Sequence, residues 1–252
     1  MSRIYAVANQ KGGVGKTTTA INVAACLAEA GTPVLVVDLD PQANASSGLG
    51  IRAGSTTWST YDLLHGIALA GMIVPTRIPG LDLAPAHPNL AAAALELPGR
   101  ENRDALVGTA IASLGDAYPY VILDCPPSLG LLTINALAAA NRLIVPVQCE
   151  YYALEGLAQL LESVERIRGA LNPRLALTGL LLTMFDRRTR LSGDVERDVR
   201  TRFGRKVFAS VVPRSVRLAE APSHGLPITQ YDRNSRSADA YYRLALEVVE
   251  RG

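Results

Sequence analysis

The chain has 252 residues, of which 48% are hydrophobic and 19% charged, as in an ordinary globular protein with one large core. We therefore expect a single domain over residues 1–252. The sequence contains no signal-peptide core and no apolar stretch long enough to span a bilayer, which predicts a cytoplasmic location. Its three cysteines, Cys26, Cys125 and Cys149, lack the spacing of a disulfide framework or a zinc site and are predicted to be buried thiols.

The net charge of +2 conceals an uneven distribution along the chain. The residues before Arg187 include 11 basic and 15 acidic ones, a net charge of −4. Arg187 and the residues after it include 14 basic and 8 acidic ones, a net charge of +6. The C-terminal quarter therefore carries a positive field, which favours a polyanion as a partner.

Short β-rich apolar segments alternate with longer helical patterns, which predicts an α/β fold with a mostly parallel, twisted sheet and helices on both faces. The predicted helices are Thr17–Ala30, ended by Gly31, and Leu154–Leu171. The stretch 48–116 is the least informative, although its alanine run, Ala91–Ala94, predicts a packed helix. The predicted strands are Ile4–Ala8, Val34–Val37, Tyr120–Leu123, Leu143–Val147, Leu177–Thr183 and Val207–Val212.

A glycine-rich loop follows the first predicted strand and leads into the first helix. Its glycines allow backbone N–H groups to curl around a phosphate, and the helix N-terminus adds its dipole. Lys16 is expected to reach the β- and γ-phosphates of a nucleotide, and the Thr17 hydroxyl is expected to ligate Mg²⁺. The residues predicted to surround the phosphates are Lys11, Gly12, Gly13, Val14, Gly15, Lys16, Thr17 and Thr18.

Lysine usage supports this interpretation of the loop. The chain has three lysines against 22 arginines, and two of the three, Lys11 and Lys16, are in the loop. A sequence that otherwise uses arginine keeps lysine where a compact ammonium is needed at a phosphate. The alternative, a glycine-rich turn without a ligand, is disfavoured because the full pattern has the required strand and helix on either side.

Acidic residues stand at the ends of two further predicted strands. The second strand runs into Asp38 and Asp40, and the third ends at Asp124 before two prolines. The carboxyl ends of parallel strands form the ligand-binding edge of a sheet. We expect one of Asp38 and Asp40 to hold Mg²⁺ through water and the other to orient the attacking water, with Asp124 also near the metal. The residues predicted to hold the metal are Thr17, Asp40 and Asp124.

The loop resembles the deviant Walker A motif, Lys-Gly-Gly-x-Gly-Lys-Thr, of the ParA/Soj partitioning ATPases, a branch of the MinD/ParA superfamily of P-loop NTPases. This resemblance implies that ATP and Mg²⁺ are bound between two subunits of a homodimer. It also implies that Lys11 crosses the interface to the partner's nucleotide, and that Lys11, Lys16 and Asp40 are the catalytic residues. The similarity covers nearly the whole chain and is carried further by the stretches 38–44, 124–130, 146–156 and 213–225.

The same resemblance implies where the base and the partners bind. Adenine would lie between Met184 and the pair Pro213-Arg214. The ATP-bound dimer would bind double-stranded DNA without sequence preference, and a ParB-type centromere-binding protein would stimulate hydrolysis and release it, so that the protein is nucleoid-associated. Each candidate arginine is as readily explained by a solvated helix face or a local ion pair. The candidates for DNA contact are Arg188, Arg200, Arg202, Arg217 and Arg236.

Three alternatives come from other classes of protein. MinD-like proteins share the loop but end in a basic amphipathic helix that lies in the membrane interface. A metabolic ligase would need a substrate pocket that the sequence does not identify, and an iron–sulfur reductase would need two suitably placed cysteines per subunit. A nucleotide-free scaffold is disfavoured by the intact nucleotide motifs.

The C-terminal segment decides against the membrane alternative. Its polar positions mix Asp239 and Glu247 with Arg243, so the polar face is not uniformly basic. A helix docked on the core is predicted instead, and no membrane partner is expected. The apolar positions that repeat at helical spacing are Ala238, Tyr242, Ala245 and Val249.

Overall fold

The computed structural model describes residues 2–97, 99–150 and 153–252. Within these residues, eight strands form one sheet in the order β3-β4-β2-β5-β1-β6-β7-β8. Neighbouring strands are parallel except β3 and β4, which are antiparallel. The strands are β1 (Arg3–Val7), β2 (Val34–Asp38), β3 (Val74–Pro75), β4 (Leu81–Ala84), β5 (Tyr120–Asp124), β6 (Arg142–Gln148), β7 (Ala176–Phe185) and β8 (Val207–Pro213).

Helices cover both faces of the sheet and bury two separate apolar clusters. The first, second, ninth, tenth and eleventh helices pack on one face, and the third to eighth helices pack on the other. This arrangement confirms the predicted α/β class. The described helices are α1 (Lys16–Glu29), α2 (Asn44–Gly48), α3 (Thr60–Leu64), α4 (Leu90–Glu96), α5 (Leu106–Ala112), α6 (Leu131–Ala139), α7 (Ala153–Ala170), α8 (Arg190–Phe203), α9 (Val216–Glu220), α10 (Ile228–Tyr231) and α11 (Arg236–Arg251).

The six predicted strands correspond to β1, β2, β5, β6, β7 and β8, with ends that differ by one or two residues. The sequence did not predict β3 and β4, because two and four residues are too short for a periodic pattern to emerge. The alanine run is part of α4, as predicted. Gly31 has a φ of 86° and follows the last turn of α1, where its N–H donates to Ala28 O, so its role as helix terminator is confirmed.

Helix α11 docks on the core, as predicted, and the predicted positions Ala238 and Ala245 are buried there. The buried side presents Ala238, Tyr241, Leu244 and Val248 to α1 and β8. Of the other two predicted positions, Tyr242 is partly buried against the same cluster and Val249 is exposed. The sequence did not predict the burial of Tyr241, Leu244 and Val248, because apolar residues occur at helical spacing on two adjacent faces of α11. No helix among the described residues is long and apolar enough to cross a membrane.

Candidate nucleotide site

The loop between β1 and α1 has the backbone geometry of an anion cradle. Gly13 and Gly15 have φ angles of 72° and 88°, in the left-handed region that side chains with a Cβ rarely adopt. Helix α1 begins at Lys16, with no side chain capping its N-terminus and no acidic residue in its first turn. The N–H groups of that turn therefore point, with the positive end of the helix dipole, toward the space above the loop.

Lys16 lies buried at the base of this loop. Its ammonium donates to the backbone carbonyl of Lys11 at 3.2 Å. Burial lowers the pKa of Lys16, while the nearby carboxylates of Asp124 and Asp40 act to raise it. The structure thus brings together the lysine and the two acids that the sequence predicted for one site.

Both carboxylate oxygens of Asp38 accept hydrogen bonds from within the chain. Asp38 lies beside Asp124, because β2 and β5 pair with these two residues in register. Its Oδ2 accepts hydrogen bonds from the Ser46 backbone N–H at 2.8 Å and the Ser46 hydroxyl at 2.7 Å, and its Oδ1 accepts from the Asp40 N–H at 3.1 Å. Burial raises the pKa of Asp38 to about 6, although the bonds from Ser46 oppose the rise. Asp38 therefore fixes the segment that carries Asp40.

Asp40 keeps one carboxylate oxygen available to a ligand or a water. The residue is buried, and its Oδ1 accepts from the Gln42 N–H at 2.9 Å. No hydrogen bond from a described residue occupies Oδ2. The turn is completed by Ala43, whose φ of 52° is uncommon for a residue with a Cβ. Of Asp38 and Asp40, Asp40 is therefore the one whose carboxylate is available to a ligand or a water.

Asp124 is buried without a hydrogen-bond partner at either carboxylate oxygen among the described residues. Burial, together with the neighbouring charge of Asp38, raises the pKa of Asp124 well above its usual range. The Thr17 hydroxyl acts to lower this pKa but makes no hydrogen bond of ordinary geometry with the carboxylate. A buried carboxylate without partners costs folding free energy and needs a cation or a donor.

The residues around Asp124 fit a magnesium ion. Within the described part of the chain, no three His, Cys, Asp or Glu side chains converge as a metal-binding cluster. Mg²⁺ does not require such a cluster, since it binds one or two carboxylates together with waters and substrate phosphates. Thr17, Asp40 and Asp124 supply a hydroxyl and two carboxylates beside the anion cradle, so they remain the proposed metal-holding residues.

Replacing Asp124 by asparagine is expected to stabilise the nucleotide-free protein. A carboxylate with a raised folded-state pKa destabilises the fold increasingly as pH rises through the interval above its unfolded pKa, and asparagine has no charge to desolvate. We expect the Tm at pH 7.5 to rise by about 2–4 °C, corresponding to roughly 1 kcal/mol. Thermal unfolding monitored by circular dichroism measures this change.

A matched control for this variant is Asp82→Asn. The Asp82 carboxylate already accepts a hydrogen bond from the Tyr118 hydroxyl at 2.7 Å, so the same substitution should not stabilise the protein. The Asp124 variant should also lose the further rise in Tm that Mg²⁺ adds in the presence of ATP. A lower Tm for Asp124→Asn, or an undiminished Mg²⁺ effect, would contradict the assignment.

A pocket of about 280 Å³ lies beside the loop. It is bounded by Gly15 and Thr18 on one side and by the ends of β7 and β8 on the other. Met184 has a φ of 52° here, an unusual backbone conformation that places strain at the end of β7. Besides Gly15 and Thr18, the lining includes the three residues that the resemblance had implied for adenine, Met184, Pro213 and Arg214. The sequence missed others whose polar or apolar character gives no motif, namely Thr183, Leu218 and Tyr241.

Three of the predicted DNA-contact arginines stand at the two ends of α8. Arg188 is exposed and precedes α8, where it pairs with both oxygens of Asp186 at 3.0 and 2.8 Å and lowers the pKa of that acid to about 2. Arg200 and Arg202 are in the last turn of the same helix, about 20 Å away along its axis. These two arginines therefore lie at the opposite end of α8 from Arg188.

Local contacts also differ among these arginines. Arg200 pairs with Glu196 at 2.9 Å and donates to the carbonyls of β8, which is a packing role. Arg217 pairs with Glu220 at 3.4 Å, whereas Arg202 and Arg236 are exposed. A role in DNA contact stays a prediction for each of them.

Lys11 is exposed on the outer side of the loop, and its ammonium lies 3.1 Å from Glu150 Oε2. Glu150 belongs to the stretch 146–156 that carried part of the family resemblance. Tyr151 and Tyr152 of that stretch lie outside the described residues. The three cysteines are buried and free, as predicted.

The strand, glycine loop and helix, with acids at the ends of the two adjacent strands, define a P-loop nucleotide-binding protein. Residues 2–177 match the family described as AAA domain. The chain is 50% identical to the sporulation initiation inhibitor protein Soj of Bacillus subtilis (strain 168), covering all of both chains. It is 49% identical to the chromosome partitioning protein ParA of Caulobacter vibrioides, covering 99% of this chain and 94% of that one. The chain belongs to the ParA/Soj family of chromosome-partitioning ATPases.

Solved structures of similar proteins contain nucleotide and magnesium. Cobyrinic acid a,c-diamide synthase from Mycobacterium smegmatis, with an ATP analogue and magnesium, has a TM-score of 0.88 and 38% identity over 99% of this chain and 95% of that one. The septum site-determining protein MinD from Pyrococcus horikoshii, with Mg-ADP, has a TM-score of 0.80 and 25% identity over 98% of this chain and 96% of that one. ATP and Mg²⁺ are the ligands consistent with this site.

Proposed function

We propose that this chain is an Mg-dependent ATPase that hydrolyses ATP to ADP and phosphate and works as a homodimer with ATP at the subunit interface. The observation that carries the proposal is the contrast in burial between the two lysines of the glycine loop. Lys16 is buried beside Asp40 and Asp124, whereas Lys11 is exposed and free to reach a second molecule once its contact with Glu150 is exchanged. Two relatives that are 48–49% identical to almost the whole chain are named as a chromosome partitioning protein and a chromosome-partitioning ATPase, which supports the same function.

Different residues of the chain bind the nucleotide, orient the attacking water and hold the metal. Lys16 and the N–H groups at the start of α1 bind the phosphates of ATP, and Met184, Pro213 and Arg214 hold its adenine. Asp40, with one oxygen fixed by the Gln42 N–H, orients the attacking water through the other. Thr17, Asp40 and Asp124 would hold Mg²⁺, which would supply neutralisation of the negative charge on the phosphate oxygens.

The glycine at position 12 supports the presence of a second subunit. A Cβ at this position would meet only Pro127, at 4.0 Å, so the described chain does not itself demand a glycine here. Its φ is not among the positive values found for Gly13 and Gly15. In the proposed dimer, the requirement comes from the partner's Lys11, which must pass close to the loop to reach this subunit's nucleotide.

Gly12→Val is therefore expected to separate ATP binding from dimerisation. The variant should keep ATP affinity within about 3-fold of wild type, since a Cβ at this position would meet only Pro127, at 4.0 Å. Sedimentation velocity with ATP should give a dimer for the wild type and a monomer for the variant. Gly12→Ala is the graded control, and a normal Gly12→Val dimer would refute this placement of Lys11.

DNA binding is proposed for the C-terminal quarter of the chain. The net charge of +6 from Arg187 onward is the observation in favour, and dimerisation would join two such surfaces. Bound DNA would be read through its phosphates and hence without sequence preference. A ParB-type partner that stimulates hydrolysis would release the protein from DNA, which implies a nucleoid-associated location.

Replacing Arg188 and Arg217 together by alanine is expected to weaken DNA binding uniformly across sequences. Each lost phosphate contact should reduce the slope of log K against log salt by about 1 per arginine, or about 2 per subunit. Fluorescence anisotropy with two unrelated duplexes over a salt series measures both quantities. Arg166→Ala is the control, because Arg166 is exposed on α7, outside the basic quarter. An unchanged slope would remove these two arginines from the proposed surface.

A metabolic role is the weaker proposal. The synthase from Mycobacterium smegmatis shares the fold at 38% identity, but the relatives named for partitioning reach 48–54% over nearly the whole chain. The buried cysteines offer no exposed thiolates for a cluster between subunits, since burial raises the pKa of both Cys26 and Cys149 to about 12. Partitioning of DNA is therefore the function we propose.

A further inference from the structure

Lys11 is held by its own subunit through its side chain and its main chain. Its ammonium lies 3.1 Å from Glu150 Oε2, and its backbone N–H donates to Asn9 Oδ1 at 3.1 Å. Its carbonyl accepts from the Lys16 ammonium at 3.2 Å. The side chain that the proposed dimer needs on the partner's nucleotide is therefore engaged within its own chain.

Glu150 is positioned to make this contact. Gln148, the last residue of β6, donates from Nε2 to Glu150 Oε1 at 2.7 Å, and the Glu150 N–H donates to the Gln148 carbonyl at 2.8 Å. The adjacent Cys149 N–H donates to Thr183 O at 3.1 Å, which fixes the turn to β7. Both carboxylate oxygens of Glu150 thus have a partner, and the carboxylate faces the loop in a defined orientation.

The contact is weak enough to be exchanged. The side chains of Lys11 and Glu150 are 43% and 47% exposed, so water screens the pair. A triphosphate carries more negative charge than one carboxylate and attracts an ammonium more strongly. Lys11 can therefore stay paired with Glu150 in a nucleotide-free monomer and exchange that carboxylate for the phosphates of a bound nucleotide.

We infer that Glu150 is a positioning residue that holds Lys11 on its own subunit until a partner's nucleotide takes it, and so sets the protein concentration at which ATP drives dimerisation. This inference rests on the proposed role of Lys11 across the dimer interface. Two such contacts are broken for every dimer formed. Removing them should tighten the dimer by roughly 2- to 30-fold, because each exposed ion pair opposes association by about 1.4- to 5-fold.

The experiment compares the dimer dissociation constants of two proteins by sedimentation velocity at saturating ATP and Mg²⁺. The parent carries Asp40→Ala, which removes the proposed water-orienting carboxylate, and the test protein carries Glu150→Gln in addition. Glutamine keeps the size of the side chain and the bond from Gln148 but not the charge. A tighter dimer in the test protein supports the inference, whereas an equal or weaker dimer overturns it.

Glu162→Gln in the same parent is the control for a general change of charge. Glu162 is an exposed residue of α7 that pairs with Arg166 at 2.9 Å, so the substitution also removes one negative charge and one ion pair. It should leave the dissociation constant unchanged. Equal tightening by Glu162→Gln and Glu150→Gln would overturn the specific role of Glu150.

The environment of Lys11 supplies a second, independent measurement. The chain has only three lysines, so labelling with [ε-13C]lysine gives three signals, which Lys11→Arg and Lys206→Arg assign. In nucleotide-free protein, Glu150→Gln should shift the Lys11 signal and leave the Lys206 signal in place. An unmoved Lys11 signal would overturn the contact within the subunit. A parent that stays monomeric with ATP at every concentration, while the Lys11 signal does move, would instead refute the proposed dimer.

Discussion

Lys16→Ala is expected to abolish nucleotide binding. Lys16 is the buried cation at the base of the glycine loop, and its ammonium is held beside Asp124 and Asp40. Removing it takes away the charged donor to the phosphates and leaves two acids to repel them. We expect the affinity for a fluorescent ATP analogue to fall by at least about 100-fold, as for other losses of a desolvated charge partner.

The third lysine provides the control for this loss. Lys206 is exposed and precedes β8, so Lys206→Ala removes the same side chain without touching the loop. It should bind the analogue as the wild type does. The Tm of Lys16→Ala without nucleotide should stay within a few degrees of the wild type, which shows that the variant is folded. Normal ATP affinity in folded Lys16→Ala would contradict the assignment of the loop.

Asp40→Ala should separate binding from turnover. The variant keeps the loop and Asp124, so ATP should bind and the dimer should form. Without the carboxylate that orients the attacking water, kcat should fall by about 10²- to 10⁴-fold. The dimer should then accumulate with unhydrolysed ATP, as measured by phosphate release and by sedimentation of the same sample.

Asp40→Asn distinguishes the chemistry from the shape of the turn. Asparagine retains an oxygen that can accept from the Gln42 N–H, so the turn after β2 should keep its form. Turnover should nevertheless remain low, because an amide is a poor substitute for a carboxylate at the water. Recovery of full activity with asparagine would show that Asp40 acts only by supporting the backbone, and undiminished hydrolysis in Asp40→Ala would exclude it from catalysis.

The sequence predicted the arrangement of the nucleotide site because its parts are local and their order is fixed by the fold. A glycine loop needs a strand before it and a helix after it, and Asp124 ends a strand of five buried residues. Parallel pairing then brings Asp38 and Asp124 into register at one edge. These relations follow from neighbouring residues and from strand direction alone.

Which of Asp38 and Asp40 is bonded within the chain, and which is available to a water, could not be predicted from strand order and direction. Both acids stand at the end of the same strand, so strand position left either one free to orient water, and only the family resemblance implied Asp40. The distinction depends on Ser46, eight residues later, which bonds Asp38 with its N–H and its hydroxyl. A contact of this kind depends on how α2 folds back on β2, which periodicity does not encode.

The contact between Lys11 and Glu150 was likewise invisible in the sequence. The two residues are 139 positions apart, and each reads alone as a surface charge. The adjacency of β1 and β6 in the sheet brings them together. Long-range pairs between exposed charges are the part of this site that only the tertiary structure supplies.

The most direct test of the central claim is binding to random-sequence duplex DNA in the presence of ATP, ADP or no nucleotide. Wild type and Asp40→Ala should be compared at one moderate salt concentration, since phosphate contacts make any affinity salt-dependent. The account predicts binding that appears only with ATP and persists in Asp40→Ala. DNA binding that is equal in all three conditions, or absent in all of them, would contradict an ATP-switched partitioning protein.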